Sequence, residues 1–244
     1  MTNKGSVRKV NWHQAIAEVA LIILGILCAL AVDSWWEDRS KREAEIDYLE
    51  SLKADFISIR DSLYEEIEWE KHRINDGKEI HANIESGLTR LAPEDFIQII
   101  SDFYWWSGWN WEPVTGTYEE LIGSGHLEYI QSQALRIKLG QFVHLVDQLK
   151  VYRGIQVSTW QTAHRPFFYE HLIVSDMDYM GDYRPVSPFK NDLDALNSKE
   201  FWNLVSDWVV SHNTMRWRYL TALEKCNAIL EAIDYELSTK AGTS

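Results

Sequence analysis

Cysteine and proline are scarce in this chain of 244 residues, and both shortages narrow the choice of fold. The two cysteines, Cys28 and Cys226, are too few for a disulfide framework, so the fold has to be held together by packing. No proline occurs before Pro93, which leaves the first part of the chain free to form long helices. Sustained alternation of apolar and polar residues, the pattern of a half-buried strand, is also missing. The sequence therefore predicts an all-α fold.

Positive charge is in short supply as well. Acidic residues outnumber basic ones by 37 to 24, which gives a net charge of −13. This balance disfavours nucleic acid and anionic lipid surfaces as partners of the folded domain, because both repel a negatively charged protein. The chain also has no glycine-rich phosphate loop, nucleophile elbow or zinc motif. We therefore expect no catalytic residues, no metal and no cofactor, and a protein that is not an enzyme.

Two groups of residues resemble metal sites only in composition. His164, Glu170 and His171 lack the spacing of a known ligand set, so ordinary surface histidines are expected there. The acidic stretch from Asp176 to Asp182 resembles a calcium-binding loop, but a methionine occupies one ligand position and Ser187 replaces the closing glutamate. We expect neither group to bind a metal.

One long apolar run lies near the start of the chain. Val19 to Val32 are fourteen consecutive apolar or small residues, and Ala15 to Ala17 extend the run across a single charge, Glu18. This length is slightly short of the roughly 20 residues that a helix needs to cross a bilayer. Tryptophans, which favour the membrane interfaces, flank the run at positions 12, 35 and 36. The run predicts a transmembrane helix over residues 15–33.

The charges around the run predict its orientation. Residues 1–13 carry three basic residues and no acid, whereas residues 33–45 mix three basic residues with five acids. Because the more positive flank stays in the cytoplasm, residues 1–14 are expected there and a helical domain over 34–240 on the other side. A cleaved signal peptide is the alternative, since the basic start and the Ala29-Leu30-Ala31 triplet also fit a cleavage site.

Glu18 has two interpretations. It is either an interfacial acid in the first turn of the span, where a carboxylate is tolerated, or a residue that faces another helix. In the second case Gly25 lies on the same face, seven residues along, and its small size permits close helix packing. This second interpretation predicts a homo-oligomer or a membrane-protein partner in addition to the lipid bilayer.

The rest of the chain carries helical patterns. Apolar residues recur at steps of three and four over about three heptads, at Ile46, Leu49, Leu52, Phe56, Ile59, Leu63 and Ile67. Ser34 and Glu37 form a capping pattern, at which this helix either restarts or runs on from the span. Further helices are expected after Pro93, up to Pro166, and from a cap at Asn197. The sequence thus predicts a transmembrane helix followed by an extracytoplasmic bundle of long, coiled-coil-like helices.

A cluster of tryptophans stands out in the stretch FYWWSGWNWEP, at Trp105, Trp106, Trp109 and Trp111. Such rings pack into a core, form hot spots of an interface, or line a pocket for an apolar or sugar-like ligand. All three interpretations stay open at the level of the sequence.

Two blocks of the sequence resemble a known family. The first combines Glu18, the pairs Gly25-Ile26 and Ala29-Leu30, and Trp36-Glu37 before a charged helix; the second is TYEELIGSGHLEYIQSQALRIKL, from Thr117 to Leu139. In this order the blocks are similar to a family of uncharacterised bacterial single-span membrane proteins. The resemblance implies a bacterial inner-membrane protein whose N-terminus is cytoplasmic and whose C-terminal domain is periplasmic. It implies no activity.

Two functions from different classes follow. The first is a membrane-anchored, non-enzymatic accessory or scaffold protein that self-associates or binds a membrane or periplasmic partner. The second is a periplasmic ligand-binding or sensor module that uses the tryptophan-rich region 105–111. About thirteen residues precede the apolar run, too few for a cytoplasmic output domain, so we expect the first function.

Overall fold

The computed structural model describes residues 12–104, 111–173 and 186–241, and all regular structure in these ranges is helical. The predicted all-α class is therefore confirmed. In chain order the α-helices are α1 (Trp12–Glu85), α2 (Pro93–Tyr104), α3 (Gly116–Gly123), α4 (Gln133–Thr159), α5 (Arg165–His171), α6 (Leu193–Leu196) and α7 (Lys199–Ala241). A 3-10 turn over His126–Tyr129 follows α3, and a π-helical turn over Trp160–His164 joins α4 to α5.

Helix α1 is unbroken over 74 residues, which corresponds to a length of about 110 Å at 1.5 Å per residue. It runs straight past Ser34, so the capping pattern at that position does not begin a new helix. Residues 18–40 are all exposed. By length and composition α1 is the one helix among the described residues that could cross a membrane, with an 18-residue window of mean hydropathy 2.1 that is not buried at all.

The outer part of α1 packs lengthwise against α7, which runs in the opposite direction. Lys53 Nζ lies 2.6 Å from Asp234 Oδ1 near the end of α7, and the ring of His81 lies 4.0 Å from that of Trp202 near its start. Helix α4 also runs antiparallel to α7, because Lys138 donates to the carbonyl of Ala228 and Gln156 donates to Ser211 Oγ. Helices α1 and α4 therefore run in parallel, away from the apolar stretch.

Helix α2 and residues 111–129 lie along α1 at positions successively nearer the apolar stretch. Arg73 donates to the carbonyl of Asp102 on α2, and Asp55 accepts from the backbone N–H of Thr117 at 3.1 Å. Tyr48 Oη lies 2.9 Å from His126 Nδ1 in the 3-10 turn. Helix α2 and residues 111–129 together form a fourth side of the bundle.

Two apolar clusters fill the bundle. The first, nearer the apolar stretch, contains the residues of the heptad series from Leu49 to Ile67, together with the apolar faces of α4 and the second half of α7. The second joins α2, α5 and the start of α7 around Phe103 and Phe201. Within the first cluster Phe56 and Phe142 meet edge to face at 5.0 Å. The periodicity thus identified the buried face of α1 correctly.

One predicted helix end and one predicted capping residue are wrong, although the last helix begins near Asn197 as expected, at Lys199. The helix that begins at Gln133 does not end before Pro166, because the π-helical turn over Trp160–His164 leads directly into α5. Proline has no backbone N–H, so Pro166 cannot donate the hydrogen bond of a regular α-helix. The wider π-helical turn before Pro166 lets the helical path continue without that bond. The N-cap of α7 is Ser198 rather than Asn197, since Ser198 Oγ accepts from the backbone N–H of Phe201 at 3.1 Å.

Candidate functional site

No described residue of the chain packs on the face of the apolar stretch that carries Glu18 and Gly25. Both residues lie on α1 where every side chain is exposed. A side chain added at Gly25 would meet no other atom within 4 Å. This part of α1 therefore keeps its whole circumference available to lipid or to another helix.

Trp111 is the member of the tryptophan cluster that the structure describes, and Trp105, Trp106 and Trp109 lie outside the described residues. Its indole N–H donates to Ser62 Oγ on α1 at 3.0 Å. Its ring meets that of Tyr219 on α7 edge to face, with centroids 5.6 Å apart. The half-buried Trp111 is thus held between α1 and α7.

A cavity of about 190 Å³ opens beside Trp111. Its walls come from the chain after α2, from α4 and from α7, and they consist of Trp111, Glu112, Val146, Leu149, Lys150, Arg153 and Tyr219. Val146 and Leu149 belong to the first apolar cluster, so the inner wall is apolar. The two basic side chains add positive charge to a chain that is acidic as a whole.

A polar network lies behind this cavity. Arg153 donates to Tyr219 Oη at 2.6 Å and to Glu66 Oε2 at 3.2 Å, and the side chains of Arg153 and Glu66 are each only 16% exposed. Burial raises the pKa of Glu66 to about 7, against the opposing effect of Arg153. Burial also raises the pKa of Tyr219, which keeps its hydroxyl protonated. Glu66 therefore changes charge near neutral pH beside a fixed guanidinium.

A second buried pair joins α1 to α7 one turn further along. Glu70 Oε2 lies 2.5 Å from His212 Nδ1, and the two side chains are 0% and 4% exposed. The rings of Trp69, Phe103 and Trp208 surround the imidazole, with centroids 5.5–5.7 Å from it. Glu70 Oε1 and His212 Nε2 have no hydrogen-bond partner within the described part of the chain.

The buried pair of Glu70 and His212 was not predicted, although the sequence carries a signal for it. Glu70 continues the spacing of Leu63 and Ile67 by a further step of three, so it occupies a core position of the helix. His212 lies at the corresponding spacing between Trp208 and Met215 on α7. The signal is that each of these two residues is polar at a position where the helical spacing predicts a buried apolar side chain.

Glu45 lies at the end of the bundle from which α1 extends toward the apolar stretch. Its side chain is buried, its Oε1 accepts from the backbone N–H of Gln131 at 2.8 Å, and its Oε2 lies 3.2 Å from Lys240 Nζ. One carboxylate thus ties the start of α4 and the end of α7 to α1. The exposed part of α1, residues 18–40, ends just before this point in the sequence.

The prediction of an ordinary surface histidine is wrong for His164. Its side chain is fully buried in an aromatic box with Tyr104 and Trp208, and its Nε2 lies 3.3 Å from Asp207 Oδ2. Burial lowers the pKa of His164, and Asp207 opposes this effect. The π-helical turn that ends at this residue aims it inward, a placement that an α-helical reading of the sequence could not predict.

Among the described residues no group of three or more His, Cys, Asp or Glu side chains is arranged to hold a metal ion. His164 is buried, Glu170 is exposed, and His171 pairs with Asp192 at 3.1 Å, so the three are not brought together. The calcium-like stretch from Asp176 to Asp182 lies outside the described residues.

In the ranges that the structure describes, these features define an all-helical fold with one candidate membrane-spanning helix. The chain belongs to DUF6090, a family of unknown function, whose family model matches residues 18–157. This range includes Glu18, Gly25, Trp111 and the α4 side of the cavity, whereas α7, which supplies Tyr219, lies beyond it. No curated protein and no solved structure matches the chain significantly.

Proposed function

We propose that the protein is a membrane-anchored, non-enzymatic accessory or scaffold protein of a bacterial inner membrane. In this proposal the N-terminus is cytoplasmic, α1 crosses the bilayer over residues 15–33, and residues 34–240 form a periplasmic helical domain. The protein self-associates, or it binds a membrane-protein or periplasmic partner.

The continuity of α1 is the observation that supports this proposal most directly. The same helix carries the exposed apolar stretch and the buried heptad series, without a proline or a turn between them. An uninterrupted helix transmits its orientation from one end to the other, so the domain is held upright on its anchor. A scaffold that presents a surface at a fixed height above a membrane needs this kind of rigid connection.

The face of α1 that carries Glu18 and Gly25 is the proposed assembly surface in the membrane. Ionisable groups inside membranes turn toward protein, and a glycine lets two helix backbones approach closely. Nothing in the described part of the chain covers this face, so in this proposal it is available to a second copy or to a partner helix.

Cross-linking in native membranes tests the assembly. Glu18→Leu and Gly25→Leu should both keep the protein in the membrane, because each makes the span more apolar, yet both should weaken oligomer or partner bands. Ala20→Leu is the matched control, since it adds the same side chain on the opposite face of the helix. Unchanged bands in both test variants would contradict the assembly surface and leave Glu18 as an interfacial acid.

A second candidate function is ligand binding in the region of Trp111. The cavity of about 190 Å³ favours it, because this cavity combines an apolar inner wall, two aromatic rings and a few charged groups. Ligand sites in proteins commonly have this composition. Under this proposal the domain senses or carries a small molecule while α1 keeps it at the membrane.

A further inference from the structure

We propose that the cavity beside Trp111 binds a small organic monocarboxylate, whose ring or short chain lies against Trp111 and Tyr219 and whose carboxylate pairs with Arg153. This inference rests on the second candidate function, ligand binding, and it specifies the class of ligand.

The size and lining of the cavity limit the apolar part of the ligand. An apolar cavity of about 150 Å³ in another protein accommodates benzene. The cavity here, at about 190 Å³, therefore has room for one six-membered ring or a short aliphatic chain together with a carboxylate. Val146 and Leu149 are almost fully buried and form the inner wall. Such a wall favours an apolar group over a strongly hydrated one.

The charges around the cavity select an anion. Lys150 and Arg153 contribute two positive charges to the lining and Glu112 contributes one negative charge, so the lining carries a net positive charge. Arg153 makes both of its hydrogen bonds, to Glu66 and to Tyr219, through Nη2, so its Nη1 is left without a hydrogen-bond partner in the described part of the chain. A guanidinium with a free donor binds a carboxylate well, because its planar N–H groups match the two carboxylate oxygens.

Glu66 makes binding of an anion dependent on pH. It already occupies one side of the Arg153 guanidinium, so an ionised Glu66 repels a second carboxylate there. The groups that face Glu66 are Arg153 from α4, Tyr219 from α7, and Glu65 and Glu70 from its own helix. Because burial raises the pKa of Glu66 to about 7, this carboxyl is mostly neutral at pH 6 and mostly ionised at pH 8. The ligand should therefore bind with uptake of a proton.

Calorimetric titration of the full chain in detergent micelles tests the proposal, with micelles alone as the blank. The probes are benzoate, neutral benzyl alcohol and cationic benzylamine, which share a ring and differ in charge. We expect benzoate to bind most tightly at pH 6. Its affinity should fall roughly tenfold at pH 8, because the protonated fraction of Glu66 falls by this factor between pH 6 and pH 8 if its pKa is about 7. The affinity for benzyl alcohol should stay constant.

Three variants locate the site. Val146→Phe fills the cavity and should abolish binding of benzoate, whereas Val151→Phe adds the same ring at an exposed position of α4 and should leave binding intact. Lys150→Gln removes a charge from an exposed side chain and should leave the fold undisturbed. It therefore tests the site even if Val146→Phe does not fold. It should weaken benzoate severalfold and leave benzyl alcohol unchanged.

The outcomes separate the two proposals. Equal affinity for benzoate and benzyl alcohol, or a preference for benzylamine, would overturn the carboxylate inference while ligand binding at Trp111 stands. No binding of any probe at pH 6 would overturn both. Binding that survives in a folded Val146→Phe variant would place the ligand elsewhere and overturn the site.

Discussion

Replacing Glu66 with glutamine should make the protein less sensitive to pH. Glu66 has a pKa of about 7 in the folded chain and 4.5 as a free side chain, because burial disfavours its charged form more than Arg153 favours it. Below pH 4.5 the carboxyl is neutral in both states. Between pH 4.5 and 7 the unfolded chain loses this proton and the folded chain keeps it, so the free energy of unfolding falls as the pH rises.

The size of the effect follows from the difference between the two pKa values. One pKa unit corresponds to about 1.4 kcal/mol, so a shift of this size removes about 3 kcal/mol of stability between pH 4.5 and 7. Solvent screening reduces this figure little, because the Glu66 side chain is only 16% exposed. Glutamine is close in shape to the neutral carboxyl and can still accept from Arg153, which also keeps its bond to Tyr219.

The assay is urea unfolding of the full chain in detergent, followed by circular dichroism between pH 5 and 8. Glu66→Gln should be the more stable protein at pH 8, by up to about 3 kcal/mol, and the difference should shrink toward pH 5. Glu65→Gln, a change at an exposed neighbour, is the control and should follow the wild type. A Glu66→Gln protein that is less stable than the wild type at pH 8 would refute the reasoning, because it would show that the ion pair with Arg153 outweighs the cost of burial.

Two further predictions concern packing and topology. Gly77→Ala should destabilise the fold by about 1–3 kcal/mol in the same urea assay, because the added methyl group overlaps Val209 and the buried ring of Phe103. Gly154→Ala is the control: its methyl group meets nothing within 4 Å, so it should stabilise α4 by about 0.5–1 kcal/mol. Equal effects of the two changes would contradict the close packing at Gly77. A phosphatase fused after Ser244 should be active outside the cytoplasm, while a fluorescent protein that matures only in the cytoplasm should stay dark at the same position; the reverse pattern would overturn the proposed orientation.

The sequence was informative where one physical rule acts alone. The spacing of Leu49, Phe56 and Leu63 predicted the buried face of α1, since an amphipathic helix can bury only one side. Pro93 marked the start of α2, because a backbone N–H in the first turn of a helix has no carbonyl partner within the helix, so proline loses no hydrogen bond there.

The sequence was uninformative where partners lie far apart along the chain. Glu70 and His212 are separated by 142 residues, so no local pattern connects them. His164 looked like a surface residue because the π-helical turn that rotates it inward leaves no clear trace in composition. The walls of the cavity could not be predicted either, since among the described residues Trp111 is the only one of the four tryptophans that lines it, and most of the other walls come from α4 and α7.

Buried polar pairs between α1 and α7 also fix where the cavity lies along α1 relative to the apolar stretch. Sliding α7 by one helical turn would separate Glu70 from His212 and Glu45 from Lys240, and would leave two buried carboxylates without their partners. We infer that these pairs keep the two helices in a single register. Trp111 is bonded to Ser62, which follows Trp36 by 26 residues of unbroken helix. At 1.5 Å per residue this spacing holds the cavity about 40 Å beyond the proposed membrane interface, a distance that a rigid α1 keeps constant.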